Sequence, residues 1–399
     1  MFSPSSSLLP EGLPPLTDEA VVRMEEMVAL LRQRIRDQSG SISFFDYMDA
    51  VLYAPGLGYY TGGLRKFGAA GDFVTAPEIS PLFGQCVARQ VAEILVWLGN
   101  GEVLEVGAGT GTLAVDLLQT LDILGVAPRR YLILELSSEL RARQVETLMA
   151  RLPHWMDRVE WRVDLPDPGW EGVIVANELL DALPVHRFEL TRQGVNELRV
   201  AWGDNGFEWR AVPAEGYLAS ALEKWQASYG AELDTGYVSE LGLAAAAWLT
   251  TVADRLRRGA ILLMDYGYPG REYYHPQRYN GTLACHYRHR RHDDPLILPS
   301  LQDITAHVDF TAMAEAAAAA GLTVAGYTTQ AHFLIATGIA EISPLVNPAD
   351  TKAQLSLSNQ IQRLTLPQEM GELFKVLALT RGIKEELLGF MNRDLRNRL

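Results

Sequence analysis

The 399-residue chain is 48% apolar and 21% charged, with a formal net charge of −14, which predicts a sizeable core in two or three domains, or in one domain with large insertions. The acidic balance argues against general nucleic-acid binding and against an anionic membrane surface, and suits a basic protein segment or a cationic side chain as substrate. Cys86 and Cys285 are the only cysteines, so neither a disulfide framework nor a cysteine-rich zinc site is expected, and a reducing cytoplasm is the expected compartment.

Residues 1–16, rich in Ser and Pro, read as a flexible tail that is neither a signal peptide nor an Arg-rich transit peptide. No stretch approaches the ~18 charge-free apolar residues of a membrane span, so no membrane insertion is expected. Val21, Met24, Met27, Val28, Leu31 and Ile35 recur at helical spacing and predict a helix over 18–38. A second helix follows over 43–52, with Ser43 as its N-cap. The Gly-, Pro- and Tyr-rich stretch 54–80 predicts a long functional loop, and 81–98 a further helix. Residues 17–100 would then form N-terminal helices and a cofactor lid.

Strands are predicted over 102–106, 130–135, 159–163, 172–176 and 260–265, alternating with helices. That rhythm predicts an α/β fold with a parallel sheet covered on both faces. The core comes in two parts, 101–190 and 259–380, the second holding an irregular, His-rich loop at 268–308. An inserted subdomain occupies 191–258. Around its start, 187–191, 197–202 and 207–212 alternate like strands, and Gly203-Asp204-Asn205-Gly206 is a hairpin turn. Helices are expected near 214–229 and 239–258. A helix over 309–320 capped by Asp309, strands over 324–328 and 374–380, and a basic surface helix over 383–399 complete the chain.

The most informative stretch is Val103-Leu104-Glu105-Val106-Gly107-Ala108-Gly109-Thr110-Gly111-Thr112-Leu113. It reads as a strand, a G-x-G-x-G turn and a helix start. Glycines let the backbone turn tightly and approach a ligand. The next apolar run ends in Glu135, whose carboxylate would accept hydrogen bonds from both ribose hydroxyls. A dinucleotide fingerprint needs a small residue where Thr112 stands, and the lysine of a P-loop is missing. Glu105 just before the turn would repel a pyrophosphate but suits an ammonium. These features select S-adenosyl-L-methionine (SAM) over a dinucleotide. Gly107, Gly109 and Gly111 would cradle its methionine part and Glu135 its ribose. Asp164 would meet the adenine amino group, or else be a loop acid in water.

The fourth strand ends in Ala176-Asn177-Glu178, at the edge where open α/β sheets bind ligands. Asn177 and Glu178 are therefore expected to face the transferred methyl. If the next segment is helical, Asp181 lies on the same face as Glu178, and the pair would match a guanidinium fork; otherwise Asp181 closes the turn before Pro184. Glu78, in the lid with Asp72, would bind the cofactor ammonium or a substrate cation. His307 would take the proton lost by the nitrogen, or satisfy a loop carbonyl. His286, His289 and His292 do not share one strand face, so no metal site is expected.

Several strings carry a family resemblance. They are Tyr47-Met48, Gly58-Tyr59-Tyr60, Gly71-Asp72-Phe73-Val74-Thr75-Ala76-Pro77-Glu78-Ile79-Ser80, the turn from Glu105 to Gly111, Glu135-x-Ser137, Ala176-Asn177-Glu178-Leu179-Leu180-Asp181-Ala182-Leu183-Pro184-Val185, Asp265-Tyr266-Gly267, and Asp303-Ile304-Thr305-Ala306-His307-Val308-Asp309-Phe310. From roughly residue 40 to 380 the chain resembles the MidA-like class I SAM-dependent methyltransferases. The mitochondrial member of that family is an arginine methyltransferase that assists complex I assembly. The resemblance implies a Rossmann-like sheet of seven strands, the last antiparallel, and SAM as methyl donor. It places Ser137 with the cofactor set, and it makes an arginine nitrogen of a protein partner the acceptor, with a respiratory-complex subunit as one such partner. A small-molecule methyltransferase and a non-catalytic SAM-binding assembly factor remain as rivals, with a nicotinamide oxidoreductase more distant. Oligomeric state is not legible.

Overall fold

The computed structural model describes residues 13–62, 74–342 and 350–399. They fall into two compact units. The first takes residues up to 73, 181–245 and 270–307; the second takes 74–180, 246–269 and 308–399. Asp72 and the middle of the expected lid, residues 63–73, lie outside the described residues, as do residues 1–12 of the expected tail. Of that tail's described part, Leu13 and Leu16 pack beside Ala20, Tyr287 and Leu298.

In the first unit, Thr17 caps the helix Asp18–Asp37, and Met27, Leu31 and Ile35 bury one stripe of it. Ser43 caps the helix Phe44–Tyr53, accepting from the Asp46 amide. Both helices share a core with Val185, Val200, Leu283, Cys285 and Ile304. A five-stranded antiparallel sheet joins Ser41–Ser43, Gly194–Gly203, His186–Thr191 and Val238–Leu241, with Gly206–Pro213 hairpinned onto Gly194–Gly203 as the turn residues predict. The helix expected over 239–258 is corrected. Val238–Leu241 is a strand paired with His186–Thr191, and the helix is confined to Leu243–Ala253. Burial of Ser239 and Glu240 and the break at Gly242 overrode local helix propensity. The supposedly irregular 268–308 contains a three-stranded sheet of Arg290–His292, Ala284–Tyr287 and Asp303–Thr305.

The second unit holds the parallel sheet. Its strands are β1 (Glu102–Val106), β2 (Tyr131–Leu134), β3 (Val159–Arg162), β4 (Trp170–Asn177), β5 (Leu256–Tyr268), β6 (Thr323–Thr329) and β7 (Phe374–Arg381). They lie in the order β3-β2-β1-β4-β5-β7-β6, and β7 runs antiparallel to both neighbours. An eighth, two-residue strand, Val308–Asp309, pairs with the end of β5, so the sheet exceeds the expected seven. β1 is buried at every position, as a central parallel strand requires. Helices Pro81–Leu98 and Thr112–Ile123 bury Phe83, Val87, Val91, Leu113 and Leu117 in the same core as Val103, Val173 and Leu262.

The basic helix expected over 383–399 is corrected: only two short 3-10 turns form there, Leu388–Phe390 and Arg396–Arg398. Gly389 packs against Phe333, its amide donates to Gln90 Oε1, and Leu387 and Phe390 are buried. Tertiary anchoring of an extended tail has replaced a local helix.

Candidate cofactor and methyl-transfer site

All the geometry that follows belongs to the second unit unless stated. The glycine turn leaves β1 through three left-handed positions, Gly107 at φ +71°, Gly109 at +53° and Gly111 at +83°. A side chain would be strained at each. Space is short as well: a Cβ on Gly111 would stand 3.2 Å from Gln144 Cα, and one on Gly107 3.3 Å from Leu179 Cδ1. Gly111 then opens the helix Thr112–Ile123, whose first amides face an electronegative group.

Acids surround this turn. Glu105 is buried beneath it, where its carboxylate accepts from the Tyr131 hydroxyl at 2.6 Å. Burial pushes its carboxyl up to about 7, the Tyr131 hydrogen bond opposes this, and nearby Glu135 adds to the rise. Glu78 sits on the short helix Ala76–Ile79 and accepts from Thr110 Oγ1 of the turn at 3.4 Å.

At the end of β2, Glu135 is fixed from two sides. Its Oε1 accepts from the Ser137 amide at 2.8 Å and its Oε2 from Gln144 Nε2 at 2.9 Å. The Ser137 hydroxyl caps the helix Ser138–Arg151, accepting from the Leu140 amide, so its own work is to start a helix. Leu136, between them, is 74% exposed, and Val163, beyond the neighbouring β3, is 59% exposed. Two bare apolar side chains past adjacent strand ends suit the faces of an aromatic ring. Asp164 is exposed and follows Val163.

The end of β4 is strained. Glu178 has φ +51°, rare for a residue with a side chain. Three hydrogen bonds hold the bend: the Glu178 amide donates to the Met264 carbonyl at 2.9 Å, the Leu180 amide to Asp265 Oδ2 at 2.8 Å, and the Tyr266 amide to Asp265 Oδ1 at 2.9 Å. Glu178 Oε1 accepts from Asn177 Nδ2 at 3.1 Å and from the Ala76 amide at 3.3 Å. Asn177 Oδ1 is buried and has no hydrogen-bond partner among the described residues.

Of the two alternatives for the segment after β4, a helix with Glu178 and Asp181 on one face or a turn before Pro184, the chain takes the turn. The chain after β4 is bend and turn, because a left-handed Glu178 and the Asp265 clamp divert it. Asp181 begins the next segment of the first unit. There it is buried, its carbonyl accepts from the Ala306 amide, and its charge, with that of Asp303, adds to the burial that holds the Tyr60 hydroxyl well above the usual phenol range. Tyr60 donates to Asp303 Oδ1 at 2.8 Å. His307, also in the first unit, is half-buried, and its amide donates to Thr282 Oγ1. Asp309 caps the helix Phe310–Ala319, as its sequence position predicts.

Second-unit positions expected from sequence are thus gathered around one turn: Glu78, Glu105, Gly107, Gly109, Gly111, Glu135, Asn177 and Glu178. Gln144, Leu136 and Val163 were missed. An apolar residue directly after a strand-end acid is a usable signal for Leu136; a glutamine in mid-helix gives none for Gln144. A cavity of about 450 Å³ opens at the other end of the sheet, lined by Glu102, Arg129, Arg130, Arg162, Trp170 and Arg257. Its arginines are already paired with Glu102, Glu160 and Glu171, and it is remote from this chemistry.

A glycine turn after β1, an acid ending β2 and a single antiparallel strand next to β5 define a class I SAM-dependent methyltransferase. The chain belongs to the family described as "Putative S-adenosyl-L-methionine-dependent methyltransferase", which matches residues 86–328. A Burkholderia thailandensis structure with S-adenosyl-homocysteine bound is 46% identical, with a TM-score of 0.93 over 97% of this chain and 100% of that one. The mitochondrial protein arginine methyltransferase NDUFAF7 homolog of Drosophila melanogaster is 29% identical, covering 94% of this chain and 89% of the relative. The rat protein arginine methyltransferase NDUFAF7, also named as mitochondrial, is 30% identical over 86% of this chain and 81% of its own length. Those names overturn the cytoplasmic expectation: a low cysteine count reports a reducing compartment without saying which one. Among the described residues no helix is long and apolar enough to cross a membrane.

Proposed function

We propose that this SAM-dependent methyltransferase acts on an arginine nitrogen of a protein substrate. The observation that carries the acceptor is the end of β4. Asn177 offers a buried carbonyl oxygen with no partner among the described residues, beside the Glu178 carboxylate. Both groups accept hydrogen bonds, and a guanidinium presents five N–H donors and no acceptor. The names of the curated relatives support the same acceptor.

The donor half rests on charge. SAM supplies an electrophilic methyl on a sulfonium and also carries an ammonium, so Glu78 and Glu135 around the turn, joined by Glu105 once it ionises above about 7, favour it and would repel a pyrophosphate. Gly107, Gly109 and Gly111 make room for its methionine part, the Glu135 carboxylate takes the ribose hydroxyls, and Leu136 and Val163 flank the adenine, with Asp164 near its amino group. Glu178 and Asn177 orient the guanidinium. A nitrogen lone pair forms the new C–N bond as the C–S bond breaks toward sulfur. Glu178 accepts the N–H proton that the nitrogen must lose and passes it to water. Asp181 and His307 are assigned no step.

The test is incubation with methyl-labelled SAM and lysate from cells lacking the protein, with a respiratory-complex subunit as the first purified substrate to try. Label recovered as methylarginine, lost by at least ~100-fold in Glu178→Gln while cofactor binding persists, is the expected result. Label only in small molecules would reject the protein acceptor, and an equally active Glu178→Gln would reject its role.

A further inference from the structure

We propose that Gln144 is a positioning residue that sets the spacing between the methionine and ribose halves of the cofactor site. This inference rests on the reading that the glycine turn and Glu135 hold the cofactor. Gln144 lies in the middle of the helix Ser138–Arg151, fully buried, and makes three hydrogen bonds. Its Nε2 donates to the Gly109 carbonyl at 3.1 Å and to Glu135 Oε2 at 2.9 Å, and its Oε1 accepts from the Trp161 indole N–H at 3.0 Å.

The amide has only one productive orientation. A primary amide has two N–H donors, and here one goes to the carbonyl of the turn and the other to the carboxylate. Flipped, it would set its oxygen against two acceptors and its NH2 against the donor of Trp161. The indole, carried by β3, therefore locks the rotamer. One nitrogen then ties the central glycine of the turn to the β2 acid, the groups proposed to hold opposite ends of one ligand. Gly111 adds contact from below, packing against Gln144 Cα. The helix cannot shift without moving the turn.

The bond to Glu135 also selects one carboxylate rotamer. The Ser137 amide on Oε1 and Gln144 on Oε2 fix the plane in which the carboxylate meets the ribose hydroxyls. Pre-orientation of this kind removes an ordering cost from binding.

The substitution Gln144→Glu tests this, with S-adenosylhomocysteine as the calorimetric probe. At pH 8 the new carboxylate would face the Gly109 carbonyl and the Glu135 carboxylate, so affinity should fall about 10–100-fold, the scale of a lost charge-assisted hydrogen bond. In acid the new carboxyl would hold a proton and could donate again to one of the two acceptors, so affinity should recover in part. Of the groups facing the amide, the Trp161 indole and the Gly109 carbonyl do not titrate, whereas Glu135 is a carboxylate, so the regained proton is shared by the pair. Glu105, near 7 and itself sensitive to the Glu135 charge, also titrates in this range, so the variant is read as its ratio to the parent at each pH. A fold defect would not be repaired by acid in this way. Trp161→Phe, which unlocks the amide without adding charge, should weaken binding about two- to tenfold relative to the parent, by the same ratio at each pH.

Glu135→Ala separates the two readings. If it binds the probe normally, the placement of the cofactor fails. If it loses the probe while Gln144→Glu keeps parental affinity at pH 8, the inference alone fails. Should Gln144→Glu not fold, parental affinity in Trp161→Phe would overturn it.

Discussion

At the scale of single residues, the second unit places carboxylates where burial penalises charge. Glu105 is the sharpest case, because among the described residues its one side-chain hydrogen bond is from Tyr131 and its carboxyl is raised from 4.5 to about 7. Between those values the folded protein keeps a proton that the unfolded chain has released. Stability should therefore fall as pH rises from about 4.5 to 7 and level off above, by on the order of 2–3 kcal/mol. Glu105→Gln keeps an acceptor for Tyr131 and carries no charge. Its melting temperature should exceed that of the parent at pH 8, and the gap should shrink toward pH 5; parallel profiles would show that the burial penalty is not expressed. The position of Glu105 was legible from sequence, because an acid two residues before a glycine turn stands out. Its hydrogen bond was not, since Tyr131 comes from the next strand and no local spacing reveals that pairing.

At the scale of elements, sequence was most informative where periodicity and capping act locally. The helix Pro81–Leu98 and the strand Glu102–Val106 have their expected limits, the helix fixed by Ser80 as N-cap and Gly99 as C-cap, the strand by Val103, Leu104 and Val106 running into the glycine turn. It failed where distant partners decide, as at Ser239 and Glu240, drawn into a strand beside His186–Thr191, and in the tail, held by Gln90 and Phe333. The bend after β4 was left open between helix and turn for the same reason: Asp265 at the end of β5 pins it. One strand contact permits a direct test. Gly259 in β5 lies opposite Gly172 in β4 at φ +144°, and a Cβ on it would run into the Gly172 carbonyl oxygen. That oxygen is main chain and cannot swing aside, so Gly259→Ala must separate the two central strands. It should destabilise the protein by roughly 3 kcal/mol or more, seen as a lower denaturant midpoint, whereas Gly125→Ala, with open space around it, should cost about 1 kcal/mol from its positive φ alone.

At the scale of the whole molecule, the chain crosses between the two units five times, after residues 73, 180, 245, 269 and 307. Neither unit is therefore a continuous stretch that could be excised, and the five covalent links favour a single cooperative unfolding step. The two cysteines allow this to be measured, because Cys86 belongs to the second unit and Cys285 to the first. Both thiols are buried. Burial pushes Cys86 up to about 11 and raises Cys285 as well, so neither offers a thiolate to a reagent at neutral pH. Labelling must wait for opening. S-adenosylhomocysteine at a hundred times its dissociation constant lowers the open population of whatever unfolds with the cofactor site about 100-fold. Cys86, in the unit that carries the glycine turn, should be protected by that factor. Because the units are threaded through one another in sequence, Cys285 should be slowed by the same factor. Mass spectrometry resolves the two labelled peptides. A Cys285 rate indifferent to the cofactor would mean that the first unit opens on its own, leaving the methyl-transfer sheet folded while Asp181, Tyr60 and His307 are exposed.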